Sequence, residues 1–521
     1  MRSFLSVARK RDRLFGGSVA AVTLVVALAG CTSTPEVAQP SVTTSTPKDG
    51  GQLRIAAAGR GAAETYDPNK WASYAELERA SLVYEPLVSI DPDGNVMPML
   101  AESMSPNADA SVWTVKLRPG VTFQDGTPLE PSDVLDTFER LADPEGLYAK
   151  QNLASVDFSK SKVVDGSTFE IALASPNATF DRSVYGDLIV PAGLTEFAKP
   201  NGTGPFAFES GTAGSEANYV RNAGYWGTAP HLDKVTVLSI DDAQARVAAL
   251  TSGQVDVIDD VPFVQASALK PDETVQLVEV LGNSSAPFYM DMTTAPFDDP
   301  KVRLAMRLAI DRDKCVQNAL FGFGKVGNDI LTPGDYAYNA DLTQRAYDPE
   351  AAKKLLSDAG YPSGLTVTLT TASTFTGMSE CATIFADSAK AAGITINLNK
   401  VPDADLFNPA AGFPAEFGST WWPVGIEDWI GATLLPDSPY NETRMDDATF
   451  AEGFAAAEAT VDTAQRVVAL KALQEQLWED SGYIIWGEQP FINAAASNVR
   501  GYSPYSSSTA GPVDVRGVWL E

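Results

Sequence analysis

Histidine is nearly missing. His231 is the only one in 521 residues, and it ends the turn-like run Gly224-Tyr-Trp-Gly-Thr-Ala-Pro-His231. Zinc sites and catalytic triads draw on histidines that converge with other groups, so this composition argues against zinc chemistry and histidine-based hydrolysis. Cysteine is scarce too, with three in all: Cys31, Cys315 and Cys381. That is too few for a disulfide framework. Cys315 and Cys381 each fall in a predicted amphipathic helix, and the expectation is two buried thiols rather than a bridge. Basic charge is short: 38 Lys and Arg face 67 Asp and Glu, a formal net charge of −29. Such a surface repels nucleic acid and anionic lipid headgroups, so neither is an expected partner. There is no Walker loop, no Rossmann glycine fingerprint and no nucleophile elbow, and no cofactor is expected. Beyond residue 31 no apolar run approaches the roughly 20 residues of a membrane-spanning helix, which leaves the remainder globular.

The first thirty residues are of a different kind. Arg2, Arg9, Lys10, Arg11 and Arg13 make a basic start, and an apolar stretch runs from Val19 to Ala29. It closes on Leu28-Ala29-Gly30-Cys31. A basic start, a short apolar segment and small residues before a cut describe a secretory signal. The last four residues resemble the lipobox of bacterial lipoproteins, which implies that Cys31 carries lipid at the head of the processed chain. The expected plan is a signal peptide over 1–30 and a Thr-, Ser- and Pro-rich tether over 31–50. The folded part would then be held at the outer face of the cytoplasmic membrane.

Length alone predicts about three domains. A first strand is expected over Gln52–Ala57. Trp113, Val115 and Leu117 alternate with Thr114, Lys116 and Arg118, as a half-buried strand requires. Pro131 opens a helix in which Val134, Phe138 and Leu141 share a face. Asp348 caps a helix with Pro349 in its first position, Ala352, Leu355, Leu356 and Ala359 on one side, and Gly360 to end it. Val467, Leu470, Leu473 and Leu477 mark a long helix. The alternation of strands and helices indicates a large α/β protein.

A series of segments then resembles the peptide/nickel family of solute-binding proteins that feed ABC importers. It begins at Tyr84-Glu-Pro-Leu-Val88 and Pro98-Met-Leu-Ala-Glu102. It is densest from Trp113 through Pro119-Gly120 and Phe123-Gln-Asp-Gly-Thr-Pro128 to Asp133-Val134. It continues at Gly202-Thr-Gly-Pro-Phe206, Tyr225-Trp226, Leu250-Thr-Ser-Gly-Gln-Val-Asp256, Pro296-Phe-Asp-Asp-Pro-Lys-Val-Arg303, Ala309-Ile-Asp-Arg312 and Tyr347–Leu356. The blocks lie in order over nearly all of the chain after residue 50. Many are scaffold in their own right: Asp299-Pro300 caps a helix carrying Val302, Ala305, Met306 and Ala309. They identify a fold and not a ligand.

The resemblance implies an α/β, periplasmic-binding-protein-like fold of two lobes with a third, inserted subdomain and the ligand in the cleft. The expected layout is lobe I over 51–283, with the insert at about 90–195, lobe II over 284–490, and a return to lobe I over 491–521. It further implies a monomeric receptor, not an enzyme, that captures an oligopeptide and delivers it to an ABC permease; an oligosaccharide or other polar solute is the alternative. The expected ligand-binding residues are Trp71, Ser73 and Tyr74 on lobe I, Asn283 at a crossover, and Phe375, Trp421, Trp422, Glu427, Asp428 and Trp429 on lobe II. In peptide-binding members an aspartate after an aromatic-rich strand pairs with the α-ammonium; here Pro423 takes its place, with Glu427 and Asp428 just beyond. Dipeptide binders also use an arginine that has no counterpart between residues 371 and 380. Both departures shift the expectation to a ligand longer than a dipeptide or blocked at its ends. A secreted hydrolase on paired carboxylates is the distant alternative. If their segment is extended, the adjacent Glu427 and Asp428 cannot oppose each other across a bond.

Overall fold

The structure is a computed structural model that describes residues 46–91, 94–143, 153–406, 415–422, 425–504 and 513–521. Cys31, the leader around it and Pro423 lie outside the described residues.

Three sheets organise the chain from residue 47 onward. The first is mixed. Its order is Val275–Ser284, Gly487–Ala496, Val257–Ile258, Gln52–Ala57, Lys234–Ser239, Glu216–Arg221 and Phe206–Gly211, with Lys325–Val326 paired to Gly487–Ala496. Gln52–Ala57 runs parallel to both of its neighbours. The second sheet orders Ile394–Lys400, Leu365–Thr371, Phe417–Ser419, Phe288–Met290 and Tyr483–Ile484. The third is antiparallel, ordered Ala101–Pro106, Val112–Leu117, Thr168–Ala172 and Lys162–Val163, and lies between strands of the first sheet in sequence.

Local chemistry explains many element ends. The Asp299 side chain accepts from Lys301 N–H at 2.8 Å, with Pro300 as the first helical residue of Pro300–Leu308. Asp348 accepts from Ala351 N–H at 2.9 Å at the head of Pro349–Asp358. Each cap satisfies an N–H that the first helical turn leaves free. The third sheet buries Trp113, Val115 and Leu117 against Val134, Phe138 and Leu141 of the Pro131–Ala142 helix, so this unit has its own core. Gly202 and Gly204 seat a loop on the end of the Tyr74–Val83 helix, where a Cβ would come within 2.0 Å of Val83 O and 2.6 Å of Leu82 O. No side chain fits there.

Cys315 and Cys381 form a disulfide, which corrects the expectation of two thiols. They lie on the helices Arg312–Ala319 and Met378–Ser388. Both are fully buried on facing sides, with Cα atoms 5.0 Å apart, inside the range a disulfide bridges. The pairing depends on two helices meeting 66 residues apart, which no local pattern reports. Nearby, buried Asp329 accepts from Arg312 and Arg345 at 2.7 Å each and from Ile485 N–H at 3.1 Å. This ion triad ties the loop after residue 328 to the second sheet.

Among the described residues, no helix is long and apolar enough to cross a membrane.

Candidate functional site

Two passages of the chain between the first two sheets are neighbours. It leaves the first sheet at Ser284 and enters the second at Phe288; it leaves the second at Ile484 and re-enters the first at Gly487. Val275–Ser284 and Gly487–Ala496 pair antiparallel from Val275↔Ala496 to Ser284↔Gln489, with a register shift between Leu281 and Ser284. Asn283 lies on this ribbon.

An aromatic floor sits beside it. The Phe375 and Trp421 rings stack at 4.2 Å and 6°. Trp421 Nε1 donates to Ser284 Oγ at 3.0 Å, and Gln489 Nε2 donates to Thr376 O at 3.1 Å. Trp422 exchanges two backbone hydrogen bonds with Ser285, 3.0 Å each, and its ring meets Tyr440 edge-on at 5.6 Å. Trp421 and Trp422 follow the short Phe417–Ser419 strand and pack on different apolar clusters, as alternate strand positions do. Both are half-buried, as are Phe375, Trp71 and Tyr74.

Trp429 departs from expectation. It is 0% exposed and packs on Tyr483 within the core of the second lobe. Its ring belongs to the core, a correction of its expected place at a ligand. Glu427 and Asp428 are not in an extended segment either: they occupy the first turn of the Ile426–Thr433 helix. Acidic residues are favoured there by the helix dipole. Ser73 caps the Tyr74–Val83 helix, its Oγ donating to Glu76 Oε2 at 3.0 Å and accepting from Glu76 N–H at 3.4 Å.

A second cluster joins the third sheet's unit to the second lobe. The Arg182 guanidinium lies 3.7 Å from the centroid of the Tyr336 ring and donates to Gly94 O at 2.5 Å. Tyr336 donates its hydroxyl proton to Glu427 and accepts from Arg466 Nε at 3.1 Å. Ala178 N–H donates to Glu458 O at 2.6 Å. Asp335 Oδ2 accepts from Ile426 N–H at 3.4 Å. Burial pushes the Glu427 carboxyl up to about 8, with Asp335 adding to it against Tyr336 and Arg182. Burial likewise raises Asp335, Asp181 and Glu458, the last to about 7. The residues that make this seam, Arg182, Tyr336 and Glu458, stand far apart in sequence and in no motif. Nothing local signals them.

The arrangement suits holding a solute rather than transforming one. Aromatic faces and hydrogen-bonding groups stand beside the paired strands that join the first two sheets. Glu427 and Asp428, adjacent on one helical turn, do not oppose each other across a gap in which a bond could be cleaved.

Comparison with known proteins agrees with this picture. The family model described as "Bacterial extracellular solute-binding proteins, family 5 Middle" matches residues 95–448. The glutathione-binding protein GsiB of Escherichia coli (strain K12) is 28% identical over 468 residues, covering 84% of this chain and 89% of GsiB. Among solved structures, the binding protein AgaA of A. tumefaciens R10, in complex with agropinic acid, is 26% identical with a TM-score of 0.72, over 90% of this chain and 99% of AgaA. HbpA2 of Haemophilus parasuis is similar in fold, with a TM-score of 0.80 at 23% identity over 90% of this chain and all of that one. So is the oligopeptide-binding protein AppA of Bacillus subtilis, in complex with a nonapeptide, at 0.70 and 21% over 91% of this chain and all of AppA.

Proposed function

Since the chain belongs to the bacterial extracellular solute-binding proteins of family 5, and so is a binding protein of an ABC importer and not an enzyme, we propose that its cargo is a short peptide. The supporting observation is the stacked Phe375–Trp421 pair, fixed to the inter-sheet ribbon through Ser284. Flat rings anchored at one edge give a peptide a surface to lie on, and stacking contributes about 0.5–1.5 kcal/mol per aromatic pair beyond buried area. The paired strands Val275–Ser284 and Gly487–Ala496 serve as the hinge. Closure then draws its driving force from contacts the solute makes with both lobes at once. Trp71, Tyr74, Phe375, Trp421 and Trp422 are the residues expected to touch cargo.

Mass spectrometry of whatever is released on denaturing the purified protein tests this directly. Peptides of three or more residues are the expected species. Calorimetry against tripeptides, glutathione and a set of oligosaccharides follows. Binding of the sugars alone would sink the peptide reading and leave the receptor role standing.

The anchoring half of the proposal rests on Leu28-Ala29-Gly30-Cys31. Diacylation gives stable attachment where one acyl chain does not. Cys31→Ala protein should leave the membrane fraction or stay unprocessed. A membrane-bound, normally processed Cys31→Ala protein would refute lipidation.

A further inference from the structure

Three strands of the first sheet run parallel, Gln52–Ala57, Lys234–Ser239 and Val257–Ile258, so their carboxyl ends share one edge. Crevices outside the carboxyl ends of parallel strands are where α/β sheets hold ligands. Two consecutive carboxylates stand at that edge. Asp259 is 3% exposed; its Oδ1 accepts from Ala58 N–H at 3.1 Å, while its Oδ2 accepts no hydrogen bond. Asp260 has a φ of +45°, a conformation that non-glycine residues seldom adopt and that collects at functional sites. Its backbone is held there from both sides: its N–H donates to Asn493 Oδ1 at 3.1 Å, and its carbonyl accepts from Arg246 Nη2 at 3.0 Å.

The two acids share one nearby cation. Arg246 is the cation at this edge, and it sits 3.9 Å from Asp259 and 3.7 Å from Asp260. Its Nη1 and Nη2 hydrogen bonds go to the backbone carbonyls of Ile240, Asp241 and Asp260. Among the described residues one cation at ion-pair distance thus serves two acids, and two buried atoms, Asp259 Oδ2 and Arg246 Nε, are left without hydrogen-bond partners. Leaving a buried polar atom unsatisfied costs about 1–3 kcal/mol. Asp260 is sheltered enough that burial raises its pKa, yet its side chain is 48% reachable. Tyr74, the first residue of its helix, stands beside the pair, and burial together with Asp260 and Asp259 pushes its phenol well up. Phe263, just beyond the pair, stacks on Phe323 at 5.7 Å.

We propose that Asp259 and Asp260, with Tyr74 beside them, form a first-lobe subsite for a cationic group of the solute, an ammonium or a guanidinium. The proposal rests on the reading of the cargo as a peptide. A donor-rich cation would supply the missing hydrogen bond to Asp259 Oδ2 and neutralise the second acid. Asp260 makes the accessible contact and Asp259 backs it from inside.

Calorimetry on the full chain with three probes tests this. Tri-alanine carries an ammonium only at its α-amine. N-acetyl-Ala-Lys-Ala-amide carries one only on its side chain. N-acetyl-tri-alanine amide carries none. Asp260→Asn keeps the shape, and asparagine accepts a positive φ. It should weaken one or both of the first two probes by about tenfold or more, as expected for a lost charge-assisted hydrogen bond, and leave the third unchanged. Which probe loses affinity identifies the source of the cation. Asp260→Gly, which relieves the backbone, should show the same selective loss with no fall in melting temperature. If both variants bind all three probes like the parent, or lose all three equally, the subsite is wrong and the peptide reading survives. If the parent binds none of the three, the subsite and the peptide reading fall together.

Discussion

Removing the Cys315–Cys381 bridge should cost the second lobe about 4 kcal/mol. The figure follows from chain entropy: the bond closes a loop with a sequence separation of 66, and the restriction of the unfolded chain grows with the logarithm of that number. The bridge also has a local consequence. The Met378–Ser388 helix begins just after the Phe375–Gly377 turn, so the bond steadies one end of the aromatic floor. The clean perturbation is Cys315→Ala with Cys381→Ala, which leaves no lone thiol, compared with the parent chain with and without reductant. Guanidinium unfolding followed by tryptophan fluorescence suits the question, because two of the three fully buried tryptophans, Trp429 and Trp486, lie in the second lobe. With a slope of several kcal/mol per molar, the parent's midpoint should drop by roughly 1 M on reduction. The double variant should start low and ignore reductant. Unfolding midpoints that agree within roughly 0.2 M across all four conditions would refute the loop-entropy argument.

Other expectations come from the seam and the floor. Arg182→Ala removes the cation from the Tyr336 ring, a contact of about 0.5–2 kcal/mol, and should raise the radius of gyration of the solute-free protein in small-angle scattering; an unchanged curve would show that the seam does not hold the lobes together. Trp421→Ala should weaken peptide binding by more than Glu427→Gln does in calorimetry, and the reverse order would move the affinity to a carboxylate. Glu442, which accepts from Thr420 Oγ1 at 2.5 Å and from the Tyr483 hydroxyl at 2.9 Å, is pushed by burial from 4.5 to about 7. A carboxyl whose folded pKa lies above its unfolded one stabilises the fold in full below pH 4.5, and this contribution is lost as pH rises through about 7. Its size is on the order of 3 kcal/mol, so melting temperatures should fall between pH 5 and 7.5, and Glu442→Gln should flatten that slope.

Elements written in short-range chemistry were legible in the sequence. The Gln52–Ala57 strand, the Asp299 and Asp348 caps with their following prolines, and the apolar stripe of Pro131–Ala142 all lie where side-chain periodicity and capping put them. Pairings decided by tertiary approach were not. Neither the Cys315–Cys381 bond nor the meeting of Arg182 with Tyr336 leaves a trace within a few residues of either partner. Trp429 misled for a related reason: it was expected at the ligand together with Trp421 and Trp422, but a helix starting at Ile426 turns its ring into the core. Asp259 and Asp260 were passed over because two acids after a strand look like ordinary solvated turn residues. Only the positive φ and the unsatisfied oxygen set them apart.

The ladder between Val275–Ser284 and Gly487–Ala496 carries a mechanical consequence. Two strands bonded along their length cannot slide past each other without breaking register, and a slip of one residue would turn every side chain to the opposite face. Bending across the ribbon breaks no such bonds, and the ladder is already irregular between Leu281 and Ser284. If the lobes turn about this ribbon as proposed, the motion left to them is a rotation. A molecule with a single soft coordinate is already most of a biosensor. One dye on the third sheet's unit and another on the Ala448–Glu458 helix would report occupancy as a single distance, with no need to know the cargo beforehand.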